Sequence, residues 1–164
     1  MTPCHEREPM QTTAKLYLRN SHMGRAGVLD RLEKFADAER DWARAIVPTD
    51  PAKRNWLFAR HAKSLFKAGK TAEAIATVAE LAENPNWEFG QWYDFACIYS
   101  VASGKIASRK QEYADRALEL LRKAVKAGYK DAAHMKKDTD LDPLRERDDC
   151  KKLLSELEKG ADKK

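Results

Sequence analysis

The sequence predicts an all-α protein, and three observations carry that prediction. Only seven glycines and six prolines interrupt its 164 residues. The stretches between them are rich in Ala, Leu, Glu and Lys, which are strong helix formers. Apolar residues recur in these stretches at the three- and four-residue spacing of a helix, and no alternating strand pattern competes.

Six helices, arranged in pairs, are expected in the first 128 residues. Thr71 is the expected N-cap of the fourth helix, and Gly69 and Gly128 stand where the third and sixth helices should end. The predicted helices cover residues 14–35, 35–47, 52–69, 71–84, 89–103 and 112–128.

Composition fits one soluble domain, with 43% hydrophobic and 35% charged residues. No apolar run approaches the roughly 20 residues of a membrane span, and the start MTPCHEREPM lacks the apolar core of a signal peptide. We therefore expect a cytoplasmic protein with no membrane association. One domain is expected over residues 13–160, after a disordered segment at 1–12. Three cysteines without a CxxC pair predict neither a disulfide framework nor a zinc site.

The formal net charge of +5 raises the question of nucleic-acid binding. Residues 51–129 carry thirteen basic and eight acidic side chains, whereas the two signs balance before and after them. Even in this middle part, as in RKQEYADRALELLRK, the signs alternate at helical spacing, which is typical of a solvated helix face. Nucleic-acid binding through this segment is therefore an alternative function and not the one we favour.

Small and large residues recur in phase along the predicted pairs, as expected of an internal repeat. A small residue lets two helix backbones approach, and a large one fills the space beside it. In the second helices, the small residues lie four positions before the large ones: Ala38, Ala74 and Ala117 before Trp42, Val78 and Leu121. In the first helices, the spacing is three: Ala26, Ala62 and Ala96 before Leu29, Leu65 and Tyr99.

This pattern resembles the tetratricopeptide repeat, and the stretch WYDFACIY carries its first-helix signature. The resemblance implies a right-handed helical-repeat superhelix of about three helix pairs plus a C-terminal capping helix. The implied repeats cover about 15–50, 51–86 and 88–128, and the capping element 131–160. An insertion near SGKIASRKQ separates the helices of the third pair. There we expect Gly104 to end the first helix and Lys105, Arg109 and Lys110 to be exposed.

A closer resemblance covers nearly the whole chain. The stretches FADAERDWARAIVPTDP, HAKSLFKAGKTAEAIA, YDFACIYSVAS and the run from EYADRALELLRK to KDTDLDPLRERDDCKKLLSEL are similar to tetratricopeptide-like tails of serine/threonine kinases from planctomycete bacteria. The Gly-rich loop, V-A-I-K, H-R-D and D-F-G motifs of a kinase domain are absent. The resemblance therefore implies a helical-repeat architecture that holds other proteins, without kinase activity.

The stretch KKDTDLDPLRERDDC holds aspartates at alternate positions. A calcium loop of the EF-hand kind needs glycine at its sixth position and glutamate at its twelfth, where this chain has Pro143 and Asp149. We favour a helix start, with Asp142 as N-cap and Pro143 in the first turn. The last pair of a repeat array needs a cap with a polar outer side. The leucines expected to face the third pair are Leu141, Leu144, Leu153, Leu154 and Leu157.

Residue types that carry out catalysis are present without a catalytic pattern. We expect the histidines at 5, 22, 61 and 134 to be structural, and no spacing supports a Cys–His nucleophile pair. A weak cation site formed by His134, Asp138 and Asp140 is a further alternative. The favoured expectation is a protein that is not an enzyme and has no cofactor and no bound metal, with a small hydrolase as the least favoured alternative.

The concave side of a repeat superhelix usually binds the partner. By the resemblance, aromatic and basic groups line this groove, which suits a peptide or protein segment with acidic and apolar residues. The alternative is that the aromatic groups pack inside the superhelix. The groove residues implied by the resemblance are Met23, Arg31, Trp56, Lys63, Phe66, Tyr93 and Cys97.

Overall fold

The structure, a computed structural model, describes residues 7–50 and 53–161. This part of the chain is helical and contains no strand, so the all-α prediction is confirmed for it. The α-helices are α1 (Arg7–Arg31), α2 (Phe35–Ile46), α3 (Asn55–Lys67), α4 (Thr71–Leu81), α5 (Phe89–Lys105), α6 (Lys110–Lys126), α7 (Ala132–Lys137) and α8 (Asp148–Ala161). Short 3₁₀ helices lie at Ala107–Arg109 and Thr139–Leu144.

Several helix ends differ from the sequence prediction. Helix α1 begins at Arg7, so residues 7–12, expected to be disordered, are helical, while residues 1–6 lie outside the described part of the chain. Helix α4 begins at Thr71 itself, so that residue is in the first turn and is not the N-cap. No described helix combines the length and the apolar composition that crossing a bilayer requires.

The helices form two compact units, Met1–Leu81 and Ala82–Lys164. In the first unit each helix packs on the next one in sequence, from α1 through α4. In the second unit α5 packs on α6 and on the 3₁₀ helix at Thr139–Leu144, and α8 contacts α6 and α7. Each unit therefore contains the helix pairs that the hydrophobic periodicity predicts.

The small residues that recur in phase all lie at closely packed positions. Each of the six alanines singled out by the sequence pattern is 0% exposed. The large residues beside them are also buried, except Leu29, which is half-buried. Because an alanine at a helix crossing adds no bulk, the backbones approach there and the large neighbours fill the adjoining space.

Three helices, α1, α3 and α6, end in the same hydrogen-bonded turn. At the end of α3, the N–H of Gly69 donates to the carbonyl of Phe66, and the N–H of Lys70 donates to that of Leu65, at 3.0 and 2.9 Å. Gly69 has a φ of 83°, in the left-handed region that this turn requires. Gly128 has the same role after α6, with a φ of 110°. Both glycines end their helices as the sequence predicts.

Gly104 does not end a helix, contrary to the sequence prediction, because α5 continues through it to Lys105. A Cβ at Gly104 would lie 3.0 Å from Cγ of Pro143 in the 3₁₀ helix. The residue is therefore placed at a close approach between α5 and this helix. Lys105, Arg109 and Lys110 are exposed, as expected.

The aspartate stretch forms a capped 3₁₀ helix, and the expected N-cap is wrong by four residues. Asp138, not Asp142, is the cap, and its Oδ1 accepts from the N–H of Asp140 at 3.0 Å. Pro143 lies inside this helix, and the next α-helix starts only at Asp148. Of the leucines expected to face the third pair, Leu141, Leu144, Leu153 and Leu157 are buried and Leu154 is half-buried.

Candidate functional site

The residues that the resemblance places in a groove are distributed over both units. In the first unit Arg31 is exposed, and Met23 and Lys63 are half-buried, with Met23 packed against the apolar core. Phe66 is buried. Trp56 has 44% of its surface exposed and is the one exposed tryptophan among the described residues.

Trp56 packs against a tryptophan whose orientation is fixed. Its ring meets that of Trp42 edge-on, with centroids 6.2 Å apart and an angle of 78° between the planes. Trp42 is buried, and its Nε1–H donates to Oδ2 of Asp30 at 2.9 Å. Oγ–H of Ser64 donates to Oδ1 of the same carboxylate at 2.6 Å. These bonds hold Trp42 in one orientation, so Trp56 offers a rigid aromatic surface.

Two basic side chains accompany Trp56 on one side of α3. Arg60 and Lys63 follow it by four and seven residues, which is the spacing of a single helix face. The guanidinium carbon of Arg60 lies 5.4 Å from the centroid of the Trp42 ring, within the range of a cation–π contact. We call Trp56, Arg60 and Lys63 the α3 face.

Two carboxylates on α2, Asp41 and Glu39, are buried. Asp41 is 2% exposed and accepts hydrogen bonds from Arg25, one of them from Nη2 at 2.5 Å. Its Oδ1 also lies 3.2 Å from Nδ1 of His22. The hydrogen bond from Arg25 holds the pKa of Asp41 below its ordinary value, against the opposing effect of burial. The pair thus joins α1 to α2.

Glu39 makes an equivalent link from α2 to the α3–α4 region. Nζ of Lys70 donates to Oε1 of Glu39 at 2.7 Å, and Nε2 of His61 lies 3.4 Å from Oε2. Burial lowers the pKa of His61, and this effect outweighs the attraction of Glu39. His22 and His61 are thus half-buried, and the side chains that these bonds place next to their rings are carboxylates and not nucleophiles such as Ser or Cys.

In the second unit, Tyr93 and Cys97 are each only 6% exposed. Tyr93 stacks on Tyr129 with centroids 4.6 Å apart, and its hydroxyl donates to Oδ2 of Asp138 at 2.9 Å. Sγ of Cys97 lies 3.7 Å from the same oxygen. The two α5 positions that the resemblance places in the groove are therefore covered by the chain's own residues 129–138, because the cap of the 3₁₀ helix bonds directly to α5.

This cluster does not produce a thiolate nucleophile. Burial raises the pKa of the Cys97 thiol well above its usual value, and the carboxylate of Asp138 raises it further. Nε2 of His134 lies 3.7 Å from Oδ2 of Asp138, the oxygen that Sγ of Cys97 also approaches. A Cys–His pair needs the imidazole next to the sulfur to accept its proton. Burial also raises the pKa of Tyr129, to about 12.

A cleft of about 610 Å³ opens elsewhere in the second unit. Its residues come from the segment after α4, from α5 and from one side of α6, and we call it the Trp–Lys cleft. It is lined by Ala82, Glu83, Pro85, Trp87, Trp92, Arg116, Glu119, Lys123, Lys126 and Ala127. The sequence pattern did not indicate this cleft, because the charged residues of α6 alternate in sign as on a solvated face. The available signal was the spacing of Arg116, Glu119, Lys123 and Lys126 together with two nearby tryptophans.

Comparison of the chain with protein-family models, curated proteins and solved structures finds no match. The site must therefore be judged on its own residues. Within residues 7–50 and 53–161, no group of three or more His, Cys, Asp or Glu side chains is arranged to hold a metal ion. What the described surfaces offer is exposed aromatic area with basic groups beside it.

Proposed function

We propose that the chain is a protein-interaction module of tetratricopeptide-like architecture, which binds a segment of a partner protein through the α3 face. The supports for this architecture are the consecutive packing of helices in the first unit and the fully buried alanines at repeat-like spacing. In this proposal the chain performs no chemistry. It presents a surface to which a partner binds.

One observation carries the proposal, namely that Trp56 is exposed while its ring packs against the fixed ring of Trp42. Residues that dominate protein interfaces are enriched in Trp, Tyr and Arg, and binding removes them from water. A large aromatic group that is already rigid loses little conformational entropy on binding. The basic Arg60 and Lys63 favour a partner segment that carries acidic as well as apolar residues.

The test is a selection of random peptides displayed on phage against the immobilised full chain, followed by calorimetry on the selected peptides. Trp56→Ala should weaken binding about thirtyfold or more, because it removes a desolvated aromatic contact. Lys63→Glu should slow association, since such charges mainly steer the encounter.

Tyr17→Ala is the matched control. Tyr17 is an aromatic residue on α1 with 68% of its surface exposed. It lies thirteen residues before Asp30, which accepts the hydrogen bond from Trp42, the packing partner of Trp56. Binding should be unchanged in this variant. If every selected peptide bound Trp56→Ala and Lys63→Glu as tightly as the unaltered chain, the assignment of the α3 face would be refuted.

A further inference from the structure

We propose that the Trp–Lys cleft is a separate docking site for a linear protein segment carrying a large apolar side chain and, within a few residues, a carboxylate. None of its lining residues belongs to the α3 face. The inference therefore goes beyond the proposed function and assigns a second site, in the second unit, with its own recognition chemistry.

The apolar wall of the cleft is a preorganised aromatic group. Phe95 is 1% exposed and receives two tryptophans edge-on, Trp87 at 5.5 Å and Trp92 at 6.2 Å between ring centroids. Trp87 is half-buried and belongs to the segment between α4 and α5. That segment is itself constrained, because the N–H of Asn86 donates to Oδ1 of Asn84 at 3.0 Å across Pro85. An apolar side chain entering the cleft meets rings that are already in place.

A second wall is a row of charged side chains on α6. Positions 116, 119, 123 and 126 lie three or four residues apart and therefore share one face of the helix. Glu119 receives Nη1 of Arg116 at 2.6 Å and Nζ of Lys123 at 3.0 Å. Nζ of Lys123 also lies 4.9 Å from the centroid of the Trp92 ring. Two cations of this wall, Arg116 and Lys123, are thus held by Glu119.

The charge balance of the cleft leaves one cation over. Burial opposes ionisation of Glu119, but the hydrogen bonds from Lys123 and Arg116 outweigh it and lower the pKa of this carboxyl. Arg116 is also 3.9 Å from Glu83, whose side chain is 82% exposed. The side chain of Lys126 makes no ion pair or hydrogen bond with any described residue. A ligand carboxylate at this end of the cleft would complete the pairing.

The dimensions favour a peptide segment as the occupant. From Arg116 to Lys126 the helix rises about 15 Å, at 1.5 Å per residue. An extended chain covers that length with four or five residues, at about 3.3 Å each. The volume of about 610 Å³ lies in the range of ordinary ligand sites and is open along one side. The cleft therefore accommodates one large side chain with main chain running along α6.

The experiment uses the full chain as bait for random twelve-residue peptides on phage, with counter-selection against the Lys126→Glu variant. Selected peptides should combine Trp, Phe or Leu with Asp or Glu a few positions away. By calorimetry, Trp87→Ala should weaken them about thirtyfold and Lys126→Glu about tenfold. Replacing the peptide carboxylate by a lysine should restore binding to Lys126→Glu, which a merely structural role of Lys126 would not explain.

Two controls match these variants. Lys152→Glu reverses an exposed lysine on α8, and Phe89→Ala removes an aromatic residue that is 46% exposed at the start of α5. Neither should change peptide binding. Circular dichroism verifies folding, and if Trp87→Ala does not fold, Lys126→Glu and its reversed peptide carry the test alone.

Three outcomes would overturn the inference. They are selection of basic peptides, no peptide that distinguishes Lys126→Glu from the unaltered chain, and binding of N-acetyl-tryptophan as tight as that of the peptides. Peptides lost with Trp56→Ala but retained by both cleft variants would support the α3 face and refute the cleft. The reverse pattern is the one that the cleft predicts, and it leaves the α3 face to its own test because the two sites are separate.

Discussion

Glu33 occupies a backbone position that glycine normally takes. Its φ of 56° is left-handed, and it ends α1 as Gly69 ends α3 and Gly128 ends α6. The hydrogen bonds are equivalent. The N–H of Glu33 donates to the backbone carbonyl of Asp30 at 3.1 Å, and the N–H of Lys34 donates to that of Leu29 at 2.9 Å. A side chain in this region costs energy that glycine avoids, and a negative charge at a helix C-terminus is also unfavourable.

Glu33→Gly should therefore raise the free energy of unfolding by about 1 kcal/mol. Urea denaturation of the unaltered chain and the variant measures the difference. Ala36→Gly is the matched control, since Ala36 is an exposed residue in the first turn of α2, where glycine should cost up to about 1 kcal/mol. A loss of stability in Glu33→Gly would contradict the described turn.

Asp41 is the most deeply buried carboxylate of the first unit, and its bonds to Arg25 and His22 explain why it is ionised there. A buried acceptor bonded to a charged donor contributes more than a surface ion pair, because leaving it unpaired costs its desolvation. Asp37, paired with Arg40 on the surface, is the natural comparison, since half of its side chain is exposed.

Asp41→Asn should lower stability at pH 7 by about 1–3 kcal/mol, and Asp37→Asn by less than about 1 kcal/mol. Because the folded-state pKa of Asp41 is lowered, its contribution is present above the unfolded value of about 4 and is lost as pH falls through the folded value. The stability gap between the unaltered chain and Asp41→Asn should therefore shrink below about pH 4. Urea denaturation at pH 7 and pH 3 tests this, and a gap independent of pH would be inconsistent with an ionised Asp41.

At the scale of elements, the contact between α5 and the 3₁₀ helix determines how the C-terminal segment is attached. Pro143 approaches α5 at Gly104, where a Cβ would meet its ring at 3.0 Å. A few turns earlier on the same helix, Tyr93 bonds to Asp138, the cap of the 3₁₀ helix. The segment is thus fixed to α5 by a close approach at one end and a hydrogen bond at the other.

Gly104→Ala should fail to give the stabilisation that alanine brings to a helix, because the added methyl group must displace Pro143. Gly27→Ala, in α1, is the control. Nothing lies within 4 Å of its added Cβ, so it should gain up to about 1 kcal/mol. In a Pro143→Ala background, Gly104→Ala should become stabilising. Equal gains at both glycines, measured by urea denaturation, would show that the approach at Gly104 is not tight.

For the whole molecule, the formal net charge is +5, and several basic side chains of the described residues lie in ion pairs. Arg109 pairs with Glu112, Lys123 with Glu119, and Arg147 with both Asp115 and Asp149. Binding to a nucleic-acid backbone needs cations that are free to replace counterions along several phosphates. Along α6, basic residues are interleaved with acidic ones, and Arg116 and Lys123 are both paired with Glu119, which disfavours a run of adjacent phosphate contacts.

We therefore expect no retention of a 30-nucleotide single strand or duplex at about 0.15 M salt in an electrophoretic shift experiment, and at most weak retention at about 0.05 M. A known nucleic-acid-binding protein of similar net charge serves as the positive control for the gel. Tight binding at the higher salt, falling steeply as salt is added, would instead favour the nucleic-acid alternative.

Local periodicity was enough to predict the helices of this protein. The spacing of Ala38 and Trp42, or of Ala62 and Leu65, shows which side of each helix is buried, because a side chain's direction on a helix follows from its position alone. Gly69 and Gly128 likewise mark helix ends by their own backbone freedom. These features depend on residues only a few positions apart.

Tertiary structure decided the features that join residues far apart in sequence. Tyr93 and Asp138 are 45 residues apart, and the sequence left open whether Tyr93 lines a groove or packs inside, and did not identify Asp138 as the cap. The Trp–Lys cleft likewise depends on Trp87 and Lys126, far apart in sequence, lining the same cleft. Helical periodicity specifies which face of a helix is apolar but not which neighbour covers it, and packing of whole side chains makes that choice.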